Sequence, residues 1–327
     1  TEPSEVSLGS SPKDGVFPDD FYSTTNLETE VHLGGRWIPV ENITMDSAIL
    51  VKGEVAVALK MKDALKGQSF VIGSKGVRVL TPERVSSGQA FKFMTSGVSS
   101  EKPLASLITE IAAEMEVLKK DNDAKILFVC GPAIVHTGSR EFLSSLIDRG
   151  YVDTLFAGNA LATHDIEASI YGTSLGVSLS RGVNVTQGHN HHLRTINTIR
   201  GIGSIKTAVE EGIIKDGIMY SVVKKGIDFL LAGSIRDDGP LPEVITDSLL
   251  AQTLMAEKLK GVKMAIMIST MLHSIATGNL LPASVSTICV DIDPSTITKL
   301  ADRGTQQARG LVLDAGTFLR ELSMRLP

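Results

Sequence analysis

The residues best suited to chemistry follow a short apolar run near the middle of the chain. Residues 227–232 are almost entirely apolar, and after a glycine and a serine the chain continues into Arg236, Asp237 and Asp238. This pattern is typical of a buried strand that opens into a charged loop. An arginine there can bind a carboxylate through two parallel hydrogen bonds, and an aspartate can transfer protons. The alternative is an ordinary surface turn containing an Arg–Asp pair.

Further candidates for acid–base chemistry follow other apolar runs of strand length. His164, Asp165 and Glu167 come after one such run, and His273 comes after another. Partial burial and neighbouring charges at a strand end can bring the pKa of such groups toward neutrality. Lys102 is a second candidate, beside the arginine, for holding a substrate carboxylate. No G-x-S-x-G sequence is present, which disfavours a serine hydrolase.

A histidine-rich stretch at 188–192 raises the question of a metal. His189 and His191 have the His-x-His spacing that can bind zinc, but a catalytic zinc site needs a third protein ligand. Asp165, Glu167 or His164 could supply one only if the fold brought them close, and no cysteine pair or H-E-x-x-H motif supports a metal site. We therefore expect no metal, and expect these histidines to hydrogen-bond a substrate or fix a loop.

Acidic residues late in the chain suggest nucleotide binding. Asp291 and Asp293 follow an apolar run, and a carboxylate in this position can accept hydrogen bonds from the hydroxyls of an adenosine ribose. Asp314 and Ala315 form a second turn of this kind. The alternative for both turns is a plain helix N-cap.

The usual phosphate-binding sequences are absent, because Gly201-Ile202-Gly203 lacks the third glycine of G-x-G-x-x-G. The best substitute is the segment 94–103, where small residues precede a predicted helix and could present free N–H groups to an anion. Its alternative is a plain capping sequence. The candidates in this segment are Thr95, Ser96 and Gly97.

The elements that must position these residues alternate between strands and helices. Apolar runs occur at 126–130, 152–157, 227–232, 264–268, 286–290 and 311–313. Helical stretches separate most of them, including 139–149, 243–259, 294–302 and 315–325. This alternation predicts an α/β fold, a parallel sheet with helices on both faces. The carboxyl ends of all these strands would lie along one edge, where ligands bind. The other residues expected to contact a cofactor at that edge are Gly131, Pro132, Ala133, Gly158, Asn159, Ala160, Gly233, Ser234, Thr270, Met271 and Leu272.

The chain before this sheet has a different pattern. Residues 1–16 are small, polar and charged, which predicts a flexible tail or linker. Residues 17–90 contain short apolar runs separated by glycine turns, which predicts a small β subdomain built from hairpins. The α/β domain is then expected over 91–327.

Composition excludes several classes of protein. The chain has 327 residues, 21% charged residues and a net charge of −5, with no basic block, which disfavours nucleic acid and membrane partners. Cys130 and Cys289 both end apolar runs, which predicts buried thiols and a reducing cytoplasm. The start contains no signal peptide and no Met, which leaves open that the chain is a piece of a longer polypeptide.

Long motifs carry a family resemblance. The strings FYSTTN, VENITMDSAI, SGVSSEKP, GPAIVHTG, GYVDTLFAGNALATHDIE, GTSLGV, GHNHHLRTIN, AGSIRDDGPLPEVITD, MLHSIATGNLLP and DIDPSTITKLADRG occur in this order. Over residues 17–327 the chain resembles the archaeal-type ornithine cyclodeaminase family. That family includes the C-terminal part of cyanobacterial arginine dihydrolase/ornithine cyclodeaminases and a region shared with plant lysine-ketoglutarate reductase/saccharopine dehydrogenase.

The resemblance implies a tightly held NAD and conversion of L-ornithine to L-proline and ammonia by internal removal and return of a hydride. It also implies a homo-oligomer and a Rossmann-like nucleotide domain similar to that of deoxyhypusine synthase, in which a segment matching 95–97 contacts NAD. We expect Arg236 or Lys102 to hold the substrate carboxylate, and Asp237 or Asp238 to transfer protons, with Glu167 and His164 as the next candidates. Asn159, Asp165, His189, His191 and His273 complete the expected substrate contacts.

Two alternatives stay open at this point. One is an NAD-linked amino-acid dehydrogenase of the lysine or saccharopine type, which would release NADH into solution. The other is a non-catalytic NAD-sensing module of a larger enzyme, which would bind NAD without turning over any amino acid.

Overall fold

The computed structural model describes residues 4–80, 104–175, 177–178, 191–237, 239–302 and 308–327. Several predicted site residues lie outside these ranges, and their placement stays a prediction. They are Thr95, Ser96, Gly97, Lys102, His189 and Asp238. Contacts divide the chain into two compact units, one within residues 1–89, 278–284 and 300–307, and the other within 90–277, 285–299 and 308–327.

The first unit is a β structure, as the glycine-punctuated runs predict. Its seven-stranded sheet has the order β1-β6-β4-β5-β3-β2-β7. Most neighbouring strands are antiparallel, and β3 and β5 are parallel. The predicted turns at Gly34-Gly35, Lys52-Gly53 and Lys75-Gly76 connect successive strands. The strands are β1 (Ser7–Ser10), β2 (Thr29–Leu33), β3 (Arg36–Glu41), β4 (Ala48–Lys52), β5 (Val55–Leu59), β6 (Ser69–Ile72) and β7 (Val77–Val79).

Strand β1 contradicts the flexible tail predicted for residues 1–16. It pairs antiparallel with β6, and Val6 just before it is buried. The Glu5 carboxylate accepts hydrogen bonds from the backbone N–H groups of Gly34 and Gly35, at 2.9 and 2.8 Å. The composition suggested a tail because the residues of β1 are small and mostly exposed. Backbone pairing and one buried valine order this segment, and neither requires an apolar sequence pattern.

The second unit contains the predicted parallel sheet. Its seven strands have the order β13-β12-β9-β8-β14-β15-β16, and the paired strands are parallel. The strands are β8 (Lys125–Cys130), β9 (Thr154–Gly158), β12 (Asp228–Ala232), β13 (Val244–Ile245), β14 (Val262–Ile268), β15 (Ser286–Asp291) and β16 (Ala308–Val312). Apart from the short edge strand β13, the order in space is 3-2-1-4-5-6. The direction of winding therefore reverses between β8 and β14, which is where ligands bind in open α/β sheets.

Helices cover both faces of this sheet, as predicted. Helices α1, α11, α3 and α7 pack against one another in a continuous layer. Helix α8 packs elsewhere, on β12 and β13. Four helices among the described residues between β9 and β12 account for much of the long connection from 159 to 226. The helices are α1 (Leu104–Leu118), α2 (Ala133–His136), α3 (Arg140–Asp148), α4 (Asn159–Tyr171), α5 (His191–Ile202), α6 (Ile205–Glu210), α7 (Ile218–Lys225), α8 (Ser248–Lys258), α9 (Met271–Gly278), α10 (Pro294–Asp302) and α11 (Ala315–Arg325).

Two details of this unit differ from the sequence-based prediction. The helix expected at 243–259 begins only at Ser248, because Asp247 caps it by accepting from the N–H groups of Leu249 and Leu250. The residues before it form β13. A short hairpin of β10 (Thr173–Ser174) and β11 (Val177–Ser178) also follows α4, and the hydrophobic pattern gave no indication of it.

Candidate active site

The loops after β8 and β14 contact each other at the reversal point of the sheet. The Gly131 N–H donates to the Ile268 carbonyl at 2.9 Å, and a Cβ atom added to Gly131 would lie 1.9 Å from the Ser269 carbonyl oxygen. Only glycine permits this approach. Ser269 has a φ of +49°, a strained conformation for a residue with a side chain. Gly131, Pro132 and Ala133 therefore lead into α2 at the position predicted for a ligand-binding loop.

Exposed aliphatic side chains follow three of the strands along this carboxyl edge. Ile235 follows β12, Leu272 follows β14 and Ile292 follows β15, with exposures of 107%, 74% and 71%. Apolar side chains beside a few polar groups are typical of the lining of a ligand site. Thr270 and Met271 accompany Leu272, since α9 begins at Met271.

The acidic residues at this edge divide into two kinds. Asp293 accepts hydrogen bonds from the Ser295 N–H and hydroxyl, which lower the pKa of its carboxyl, and Asp314 accepts from the Thr317 N–H. Both carboxylates therefore make the contacts of helix caps, the alternative left open by the sequence. Asp291, by contrast, is buried at the end of β15 and accepts from the Asp293 N–H at 2.9 Å through one oxygen. It is the best placed of the three to bind a ribose.

The loop after β12 is held in shape by its own polar groups. Asp237 accepts a hydrogen bond from the Ser234 N–H at 2.8 Å, while the Asp237 N–H donates to the Ser234 carbonyl. Ser234 and Arg236 are exposed. The Asn159 side-chain oxygen accepts from the Leu241 N–H at 3.0 Å and so holds the far end of the loop to the start of α4. Asp237 and Asn159 thus both stabilise this loop.

His273 lies beside the end of β9 and near Asp237 in the loop after β12. Its ring carbon Cε1 lies 3.1 Å from where a Cβ atom on Gly158 would be, at the end of β9. Burial lowers the pKa of His273, and the nearby charge of Asp237 partly opposes this shift. The structure therefore brings together three residues that the sequence placed after three different strands.

Helix α4 carries a second group of predicted residues into the protein interior. His164 and Glu167 are buried, and His164 Nδ1 lies 3.0 Å from Glu167 Oε2. The Thr173 hydroxyl donates to the other oxygen of Glu167 at 2.9 Å and also lies 2.8 Å from His191 Nδ1. Polar side chains in a fully buried helix segment must be paired, and these are paired with each other.

His136 belongs to this buried group, although the sequence analysis did not select it. Its ring meets that of His164 with centroids 4.8 Å apart, and its Nδ1 lies 2.7 Å from the Ser174 hydroxyl. Burial, and then the neighbouring His164, lowers the pKa of His136. Its place at the end of α2, six residues past β8, is the signal that could have identified it.

Asp165, which the sequence suggested as a substrate contact, has both of its side-chain oxygens bound by groups of the protein. It is fully buried, and one of its oxygens accepts from Arg140 Nε at 2.9 Å and from the Ile218 N–H. The other oxygen accepts from the Met219 N–H at 2.8 Å. A Cβ atom on Gly217 would collide with Arg140 and Asp165, so this glycine makes room for the pair. Asp165 joins α3, α4 and α7.

The described residues contain no group of three or more His, Cys, Asp or Glu side chains that could hold a metal ion. The described part of the chain also has no helix that is both long enough and apolar enough to cross a membrane.

The fold and this edge define an α/β protein of the Rossmann type. The family "Arginine dihydrolase ArgZ-like, C-terminal, Rossmann fold" matches residues 109–322, and the family for the first region of the same C-terminal part matches 28–108. The chain is 53% identical to the ornithine cyclodeaminase of Archaeoglobus fulgidus, over 98% of this chain and 79% of that protein. It is 46% identical to the bifunctional arginine dihydrolase/ornithine cyclodeaminase AgrE of Nostoc sp., over 96% of this chain and 46% of AgrE. The chain therefore belongs to the family formed by the archaeal ornithine cyclodeaminases and the C-terminal region of ArgZ-like arginine dihydrolases.

Solved structures agree with this assignment. A conserved LOR/SDH protein from Methanococcus maripaludis has 49% sequence identity and a TM-score of 0.93, over 99% of this chain and 98% of that one. AgrE in a ternary complex with ornithine and NAD+ has 43% identity and a TM-score of 0.65, over 99% of this chain and 46% of that one.

Proposed function

We propose that this chain is an ornithine cyclodeaminase, an ammonia-lyase that converts L-ornithine to L-proline and ammonia with a tightly bound NAD. The observation that carries the proposal is the 53% identity to an ornithine cyclodeaminase over 98% of the chain. The NAD complex of a relative with 43% identity supports the cofactor.

The residues at the carboxyl edge fit NAD. Gly131 allows the loops after β8 and β14 to pack closely at the reversal point, which is the position where open α/β sheets bind dinucleotides. Asp291 offers a carboxylate to a ribose, and the exposed side chains of Leu272 and Ile292 offer apolar surface to a flat ring. Gly158, Ala160, Gly233 and Ser234 border the same edge.

When bound, NAD would take the hydride from Cα of ornithine and return it to the cyclic imine, so that no outside redox partner is needed. The protein must do the rest. Arg236, exposed in the loop after β12, would bind the substrate carboxylate. Because both amines of ornithine are protonated at neutral pH, the site also needs proton acceptors, and we assign this role to His164 with Glu167.

Asp237 keeps a smaller role in this proposal than the sequence suggested. Its carboxylate accepts from the Ser234 N–H, so we assign it to shaping the loop that carries Arg236. Asp238 lies outside the described residues and stays a candidate for proton transfer.

The test is to incubate the purified chain, without added nucleotide, with ornithine deuterated at Cα and to weigh the proline by mass spectrometry. Proline that keeps its deuterium is the expected result, because the hydride leaves and returns within one site. Unlabelled proline would refute the hydride mechanism. No proline, with NADH released on adding NAD, would favour an amino-acid dehydrogenase, and NAD binding without any turnover would favour a sensing module.

We also propose a homo-oligomeric, cytoplasmic protein. The free, buried thiols of Cys130 and Cys289 are consistent with a reducing compartment. The chain spans 46% of AgrE, and no arginine-degrading activity is proposed for it. Size-exclusion chromatography with light scattering would determine the number of subunits.

A further inference from the structure

The short strand β10 contacts side chains from three different helices, two histidines and one glutamate. Its first residue, Thr173, contacts Glu167 on α4 and His191 at the start of α5, and its second residue, Ser174, contacts His136 on α2. Neither residue was selected from the sequence. Both are buried, at 2% and 4% exposure, so water has little access to compete for these hydrogen bonds.

The direction of each hydrogen bond follows from the chemistry of the partners. An ionised carboxylate can only accept, so the Thr173 hydroxyl must donate its single proton to Glu167. Thr173 can then only accept from His191, which places the His191 proton on Nδ1. By the same argument His164 Nδ1 donates to the other oxygen of Glu167. Both rings therefore carry their proton on Nδ1 and, when neutral, a lone pair on Nε2.

We propose that Thr173 is a positioning residue that connects Glu167 to His191 through its hydroxyl group. One buried carboxylate then fixes the tautomers of both His164 and His191. The Nε2 atom of each ring is left as a proton acceptor. The Tyr171 ring stacks on His191 at 4.6 Å and holds the ring plane. Among the described residues, His136 on α2 and His192 on α5 also face His164.

This arrangement suits a substrate with two amino groups and so rests on the proposed function. Ring closure requires one amine to lose a proton before it attacks, while the other must be processed until it leaves as ammonia. A single acceptor would have to serve both nitrogens in turn. With two oriented acceptors, one on α4 and one on α5, each nitrogen can exchange protons with a different histidine.

The first test reads the tautomers directly and does not depend on the reaction. Histidine labelled with 15N gives long-range proton–nitrogen correlations that distinguish Nδ1–H from Nε2–H, and His164→Gln and His191→Gln assign the signals. We expect Nδ1–H for both rings near pH 8. Thr173→Val should release His191 from this tautomer and leave His164 unchanged, and the matched control Thr287→Val, which removes another buried, hydrogen-bonded hydroxyl, should change neither.

The second test measures turnover. Removing the partner that orients such a histidine is expected to lower kcat by about 10- to 100-fold, as for other groups that orient functional ligands. Thr173→Ser keeps the hydroxyl and should restore most of the rate.

The outcomes separate the inference from the proposed function. A His191 ring that carries its proton on Nε2 in the wild type, or that keeps Nδ1–H in Thr173→Val, would overturn the inference whatever the reaction is. If Thr173→Val does not fold, the position of the His191 proton in the wild-type spectrum tests the inference by itself. Wild-type protein that makes no proline would refute the function, and the spectra would still judge the tautomers.

Discussion

Asp165→Asn is the change that best separates a structural role from a chemical one. The Asp165 carboxylate is fully buried and is bound by Arg140 and by two N–H groups at the start of α7. Asparagine keeps one acceptor oxygen but turns an NH2 group toward donors, and it removes the charge that faces the half-buried Arg140. Breaking a buried pair from one side costs about 3–5 kcal/mol. Because Arg140 keeps Asp216 as a second partner, we expect the free energy of unfolding to fall by about 3 kcal/mol, the lower end of this range.

Urea unfolding at pH 7 measures this loss, and thermal unfolding should show Tm lowered by about 6–12 °C for a unit of this size. The matched control is Asp216→Asn, because Asp216 binds the same arginine but its side chain is 64% exposed, and it should cost less than about 1 kcal/mol. Equal stability of the two variants would refute the anchoring role. A stable Asp165→Asn with a raised KM for ornithine would instead support the substrate contact suggested by the sequence.

Three further predictions follow from the same geometry. Gly131→Ala should lose tightly bound NAD, measured by absorbance of the supernatant after denaturation, because the new methyl group collides with the loop after β14. Burial lowers the pKa of His136 and His273 in the folded protein, so the unfolded chain binds more protons as pH falls through about 6.5, and the free energy of unfolding should fall from pH 8 to about pH 5.5. Burial raises the pKa of Cys130, and it raises that of Cys289 to about 12, so both thiols should resist Ellman's reagent until the protein is unfolded.

Each of these has a clear opposing result and a control. Retention of NAD by Gly131→Ala would show that the loop contact does not shape the cofactor site, with Gly201→Ala, at an open position of α5 without a positive φ, as the control for expression and folding. A free energy of unfolding that rises as the pH falls would contradict the two lowered histidine pKa values, and His136→Gln should reduce the pH dependence. Rapid labelling of a native thiol would contradict its burial.

The sequence predicted the parallel sheet well because its strands are apolar on both faces. The runs at 126–130 and 286–290 lie inside β8 and β15, and the helices at 294–302 and 315–325 were predicted with their observed bounds. Such strands can be recognised from their own residues alone, because they form nearly continuous apolar runs. Strand β1 was missed because its order comes from pairing with β6, a contact about 60 residues away in the chain.

The site was less predictable, because a strand end fixes where a loop begins but not what its side chains contact. Asp293 and Asp314 had two possible roles in the sequence, and in the structure both make the hydrogen bonds of helix caps. The contact between Thr173 and His191 depends on how α4, β10 and α5 fold back on each other. No periodicity in one sequence contains that information.

The helical repeat of α4 explains how one short stretch serves both stability and chemistry. At about 100° per residue, His164 and Glu167 lie within about 60° of each other, whereas Asp165 projects about 160° away from Glu167. The structure matches this division, since His164 and Glu167 contact each other and Asp165 contacts α3 and α7. Variants on the two sides should therefore separate cleanly: Asp165→Asn should change the free energy of unfolding, and Glu167→Gln should change histidine tautomers and turnover. If Glu167→Gln were as destabilising as Asp165→Asn and left both tautomers unchanged, the chemical role assigned to this side of α4 would be wrong.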